Sequence, residues 1–233
     1  MRVDVLATPT SDGELWDLED EALRLHPFMT GDVFTGVDDG DDGDPTQVMI
    51  IAHPCVIRGS RGRLARRVPC CVVKQTQAPL SYKEWPERGF HLFPVTDAIG
   101  LGEHYAAYLL EWRSIHYSEL RRDRRCATMT DRGVYILLQR FTHAITRCAP
   151  LLVDFEAAAL HEMREAELEY EWVAEIAGGS DDAAVESQVR AFHTFLEEGG
   201  YRELLRQEGG DARLRAIVRM EIKRHLEEGS SSD

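Results

Sequence analysis

The sequence predicts an α+β protein in which a strand-rich first half forms a small β-barrel that packs on a C-terminal α-helical bundle. Short β-branched or apolar runs, several of them closed by Gly or Pro, recur between Gly31 and Met129. From Thr130 onward the apolar residues change to a spacing of three and four and keep it. The composition is that of a globular chain, with 43% hydrophobic, 29% charged and 8% aromatic residues. At 233 residues it is long enough to bury a core without disulfides or metals. The expected organisation is an N-terminal helical arm over 1–30, the barrel over 31–130, the bundle over 131–228 and a disordered tail over 229–233.

The first element expected is a short amphipathic helix over Glu14 to Leu25, with Leu15, Leu18, Ala22 and Leu25 on one face after a Ser11-Asp12 start signal. A strand follows over Gly31 to Val37. The run Asp38 to Asp44 lacks the glutamate that a twelve-residue calcium loop needs, so it reads as an exposed acidic hairpin loop. Gln47 to Ile57 reads as a buried strand that Pro54 ends or confines to an edge. Gly59 to Gly62 makes a turn, and Val68 to Gln75 and Phe90 to Val95 are the next strands. A short helix is expected over Glu103 to Glu111, then a strand pair, Trp112 to Leu120 and Arg125 to Met129. Five or six short strands at this spacing point to a small barrel.

Thr130 is a good N-cap for a helix carrying Val134, Leu137, Leu138, Phe141 and Ile145. A long helix follows over Asp154 to Ala177, closed by Gly178-Gly179. Asp181 caps the next helix, with Val185, Val189, Phe192 and Leu196 on one face. The last has a stripe of Leu214, Ile217, Val218, Ile222 and Leu226.

The net charge of −14 is unevenly laid out. Residues 1–44 hold 13 acidic against 2 basic side chains, residues 152–233 hold 20 against 9, and the middle holds 16 basic against 8 acidic. A basic centre in an acidic chain can hold an anionic ligand, and it can equally be neutralised by its own acidic arms. No apolar run is long enough to span a bilayer, and the first residues lack a signal peptide's apolar stretch. Five cysteines in no stapled pattern fit reduced thiols. The expectation is a cytoplasmic protein that needs no cofactor and does not contact a membrane.

Candidate chemistry falls in four places. His53, Cys55 and Cys70, with Cys71 and His91 nearby in the pattern, have the ligand types of a tetrahedral zinc site if a strand brings them together, though no Cys-x-x-Cys knuckle is present. The same cysteines read equally as small core residues, or Cys55 as a nucleophile lowered in pKa by His53. Arg58, Arg61, Arg63, Arg66 and Arg67 lie in a glycine-bearing loop suited to gripping phosphates without reading bases. Arg121, Arg122, Arg124 and Arg125 form a second group. If both tips lie at one end of the barrel they make a phosphate-binding rim; otherwise they are solvated loops balanced by the acidic run. On the Thr130 helix, Arg140, His143 and Arg147 share a face, either as a phosphodiester site with His143 as general acid or base, or as a polar surface.

The order Gly31-Asp32-Val33-Phe34, Val48 to His53, Arg67 to Val73 and Leu92 to Thr96 resembles the barrel of the PemK and MazF toxin family over residues 31–130. The resemblance implies an SH3-like β-barrel, here joined to a helical half that the family does not account for. In that family, ribonuclease activity depends on an arginine in an Arg-Pro segment and a later serine or threonine. In this chain the corresponding positions are Arg67, which stands two residues before Pro69 rather than beside a proline, and Thr96.

The function expected is a nucleic-acid-associated or partner-binding accessory protein of a bacterial toxin or defence system, holding phosphates through its arginine loops. The enzyme alternative is a metal-independent endoribonuclease using Arg67, Thr96 and His143. A third reading is an acidic subunit whose helical half docks a basic protein partner and touches no nucleic acid.

Overall fold

The computed structural model describes residues 6–17, 19–39, 45–58, 64–80, 82, 85, 89–95, 104–177, 181–206 and 212–230. It contains seven strands, β1 (Trp16–Asp17), β2 (Val33–Val37), β3 (Thr46–Ile50), β4 (Arg67–Gln75), β5 (Leu92–Val95), β6 (Tyr105–His116) and β7 (Arg125–Met129). Among the described residues there are seven α-helices: α1 (Asp20–Leu25), α2 (Pro54–Ile57), α3 (Asp131–Thr146), α4 (Leu152–Ala177), α5 (Asp182–Glu198), α6 (Tyr201–Arg206) and α7 (Ala212–Ser230). The chain is therefore a mixed α and β protein, and no helix among the described residues is long and apolar enough to cross a membrane.

Every strand pairing is antiparallel, in the order β1-β7-β2-β3-β4-β6-β5. The sheet stays open, which corrects the closed barrel expected from the strand spacing. Its two edges are poor templates for closure: β1 has only two residues, and β5 carries Pro94, which cannot donate to a ladder.

The chain divides into two compact units. The first holds 1–24 and 28–159, the second 25–27 and 160–233, so the division falls within α4. In the first unit both faces of the sheet are covered. One face packs Val33, Met49, Cys71, Phe93 and Leu109 with Val134, Leu137 and Leu138 of α3. The other packs Phe34, Val48, Ile50, Val68 and Cys70 with Ile57 of α2 and Phe28. Burial on both sides is why β3 and β4 read as continuous apolar runs rather than alternating ones.

Several expected elements have different bounds. The helix foreseen over Glu14 to Leu25 is a single 3₁₀ turn at Asp12–Glu14, then β1, then α1. Trp16 pairs with Met129 and is buried, so tertiary pairing overrides the helical spacing. The strand foreseen over Gln47 to Ile57 stops at Ile50, and Pro54 begins α2 at a position where its missing N–H costs nothing. The helix foreseen over Glu103 to Glu111 is instead the first part of β6, which pairs with β4 on one side and β5 on the other. α7 continues to Ser230, so Gly229 and Ser230 of the foreseen tail are helical.

Thr130 caps α3, its Oγ1 accepting the Gly133 N–H at 3.0 Å, and so assigns this helix to the sheet-bearing unit rather than to the helical half. Asp181 caps α5 in the same manner by accepting the Ala184 N–H at 2.9 Å. The second unit buries Leu168, Trp172, Val185, Phe192, Leu196, Val218 and Ile222. Within it His193 is buried in a polar network. Arg202 Nη2 donates to its Nδ1 at 2.8 Å, and its Nε2 lies 3.1 Å from Glu169.

Candidate functional site

The loop that ends at Arg66 and the turn that follows β6 meet at one end of the β4–β6 ladder. Arg67 pairs with His116 in register, and the Tyr117 N–H donates to the Arg66 carbonyl at 3.2 Å. Arg67 Nη1 donates to the Ser114 carbonyl at 2.7 Å, which fixes the side chain along the strand end while it stays exposed. The His116 and Tyr117 rings are tilted at 34° with centroids 4.8 Å apart, and Tyr117 is 48% exposed. His116 is held by the Ser118 N–H on its Nδ1 at 3.4 Å. The 3₁₀ turn Tyr117–Glu119 leads directly to exposed Arg121, paired with Asp123 at 2.6 Å, and half-buried Arg124, paired with Glu119 at 3.0 Å. Arginines thus flank an open aromatic face, the combination that holds phosphates and bases together.

The remaining predicted arginines divide by burial. Arg58 is the buried C-cap of α2. Arg122 is buried with its Nη1 on the Arg24 carbonyl at 2.9 Å, and Arg125 is buried against Asp32 and the Leu23 carbonyl. Both guanidiniums lie over the Phe28 ring, at 5.0 and 5.1 Å. Their charge is spent on carbonyls and a carboxylate inside the unit, and not presented to solvent. Arg61 and Arg63 lie outside the described residues, as does Thr96.

Of the three residues of the ribonuclease reading, Arg67 stands opposite His116 at the end of the β4–β6 ladder and His143 lies on α3, while Thr96 is outside the described residues.

His53 and Cys55 do converge, with Nδ1 and Sγ 2.9 Å apart, but as the N-cap and first turn of α2 rather than as same-face strand residues. Cys70 sits fully buried in the apolar layer with Ile50, Ile57 and Val68, and burial pushes its thiol well above the usual range. Cys71 faces the opposite layer, as alternation along a strand requires. Among the described residues no three His, Cys, Asp or Glu side chains are arranged to hold a metal ion.

The Arg140, His143 and Arg147 stripe gains partners that spacing alone did not reveal. Arg140 is fully buried, stacked 4.0 Å from the Trp85 ring centroid, and donates from Nη2 to the Ala7 carbonyl at 2.7 Å. Burial pushes its pKa down to about 10. Arg147 lies 3.7 Å over the Phe90 ring, and His143 meets the edge of the same ring at 6.4 Å. Desolvation, then the charges of Arg147 and Arg140, hold the His143 pKa below its ordinary value. The stripe itself was legible as an i, i+3, i+7 pattern; Trp85 and Phe90, brought from before β5, were not.

No family model matches the chain, and no curated protein matches it.

Proposed function

We propose that this chain is a nucleic-acid-associated accessory protein that grips phosphates at the rim formed by Arg66, Arg67, Arg121 and Arg124 beside the His116–Tyr117 pair. The observation that carries the reading is the Tyr117 to Arg66 hydrogen bond, which joins two arginine groups distant in sequence at one end of the sheet. Exposed Arg66 and Arg67, with Arg121 and Arg124 held by Asp123 and Glu119, supply sequence-independent affinity, and the exposed tyrosine ring offers a stacking surface for an unpaired base. An SH3-like origin of the sheet is supported by the run β7-β2-β3-β4-β6, in which the last strand returns beside the first of the five. The resemblance to the PemK and MazF family supports a toxin or defence system as the setting of such a protein.

The test is retardation of labelled single-stranded RNA and duplex DNA at rising salt, with cleavage read in the presence and absence of EDTA. Binding is expected to weaken linearly in log salt, and Arg66→Ala with Arg67→Ala to reduce the salt slope by about 2. Unchanged affinity in that double variant sinks the proposal. Metal-independent cleavage would move the assignment to the endoribonuclease reading, and absence of both binding and cleavage to a partner-docking role for the acidic helices.

A further inference from the structure

We infer that the Arg140, His143 and Arg147 face of α3, with Trp85 and Phe90, is a second anion site, independent of the rim, whose ligand is a dianionic phosphoryl group. The first ground is charge. Arg140 is fully buried, and among the described residues no carboxylate acts on its charge. Desolvation alone depresses its pKa, with no acidic neighbour opposing it. A buried guanidinium without a counter-charge is costly, and an anion bound beside it removes that cost.

The second ground is unused donor capacity. Nε and Nη1 of Arg140 are buried and meet no acceptor among the described residues, whereas Nη2 is satisfied by Ala7 and Thr8. His143 Nδ1 is also buried without a partner. Buried polar nitrogens in folded proteins are paired in the great majority of cases, so orphaned nitrogens on a buried arginine and a neighbouring histidine point to a missing partner.

The third ground is arrangement. The three basic side chains rise from fully buried Arg140 through half-buried His143 to exposed Arg147, a path from surface to interior with an arginine at each end. The two guanidiniums each lie over an aromatic ring, which restricts their positions. Arg147 takes a left-handed conformation, φ 63°, as the C-cap of α3, and is the only non-glycine residue with positive φ among those described. That conformation is unfavourable for a side chain with a Cβ, and here it accompanies the placement of the guanidinium over Phe90. Up to three positive charges approaching from separate positions match a tetrahedral dianion better than a planar monoanionic carboxylate.

The experiment follows the His143 ring protons by NMR in the full chain, identified by their loss in His143→Gln, during titration with inorganic phosphate, sulfate, acetate and AMP at constant ionic strength. Phosphate and sulfate are expected to shift the ring saturably and to raise the pH at which it titrates, and acetate is expected to do neither. Arg147→Gln, at an exposed position that leaves the core intact, is expected to weaken phosphate about tenfold, the scale of one charge-assisted hydrogen bond. AMP binding tighter than inorganic phosphate would identify a nucleotide or nucleic-acid end as the source; equal binding would identify free phosphate. No saturable shift with phosphate, an equal response to acetate, or full affinity in Arg147→Gln overturns the assignment. Loss of rim binding in Arg66→Ala leaves this site untouched, so the two failures are distinguishable.

Discussion

Arg125 and Asp32 form an ion pair at 3.0 Å in which neither side chain is exposed to solvent. Each remaining polar position nearby is used. Thr128 Oγ1 donates to Asp32 Oδ1 at 2.6 Å, the Met29 N–H donates to Oδ2 at 3.1 Å, and Arg125 Nε donates to the Leu23 carbonyl at 2.7 Å. The pair therefore ties β7 to α1 and to the turn that starts β2. Removing one partner leaves the other charged and dry. Asp32→Ala is expected to lower stability by about 3–5 kcal/mol in urea unfolding. A loss below about 1 kcal/mol, the range of exposed pairs, would mean that water reaches the pair.

Gly133 lies where the first turn of α3 meets the N-terminal segment. A Cβ at this position would fall on the carbonyl oxygen of Leu15, a backbone atom that Thr130 N–H also engages at 3.0 Å. Gly133→Ala should therefore destabilise the fold despite alanine's better helix propensity, which favours it by about 1 kcal/mol. The check is the thermal midpoint beside Gly36→Ala, where nothing lies within 4 Å and the cost is confined to φ 65°, about 1–2 kcal/mol. A midpoint for Gly133→Ala above that of the unaltered chain would contradict the close approach.

Thiol reactivity separates the cysteines. Cys55 and Cys148 are exposed, whereas Cys70 and Cys71 are buried in opposite layers, with desolvation raising both thiols. A disulfide reagent in native buffer is expected to modify Cys55 and Cys148 first, and Cys70 and Cys71 only at the rate of unfolding. Rapid native modification of Cys70 would show the second apolar layer to be open.

The pH dependence of stability follows from His143. Its folded pKa is lowered by desolvation and by Arg147 and Arg140, so the unfolded chain binds the proton more readily. Its contribution to stability is therefore complete above the unfolded value, about 6.5, and is lost as pH falls through the lower folded value. His143→Gln should flatten the fall in thermal midpoint below that pH. An identical slope in the variant would place the acid sensitivity elsewhere, and saturating phosphate, if it binds there, should reduce the slope in the unaltered chain alone.

Local signals read well where a single residue satisfies a backbone need. Thr130 and Asp181 cap the helices they were expected to cap, and Arg125 to Met129 is β7 to the residue. They failed where pairing with a distant segment competes with periodicity. Residues 105–111 fall within the expected helix yet form β6, because Cys71 to Gln75 and Leu92 to Val95 flank them and bury Ala106, Ala107 and Leu109. The arginine loop was visible as composition, but its division into exposed Arg66 and Arg121 and buried Arg58, Arg122 and Arg125 was not.

By itself the sequence determined the change from strands to helices at Thr130, the helix caps, the basic middle and the stripe of Arg140, His143 and Arg147, since each depends on residues within a few positions of one another. Only the tertiary structure decided that the sheet stays open, that α3 joins it, that Arg125 belongs to Asp32, and that Trp85 and Phe90 lie under two arginines. Those outcomes depend on which distant segments bury one another, and the free energy of that choice is spread over the whole core rather than written in any one stretch.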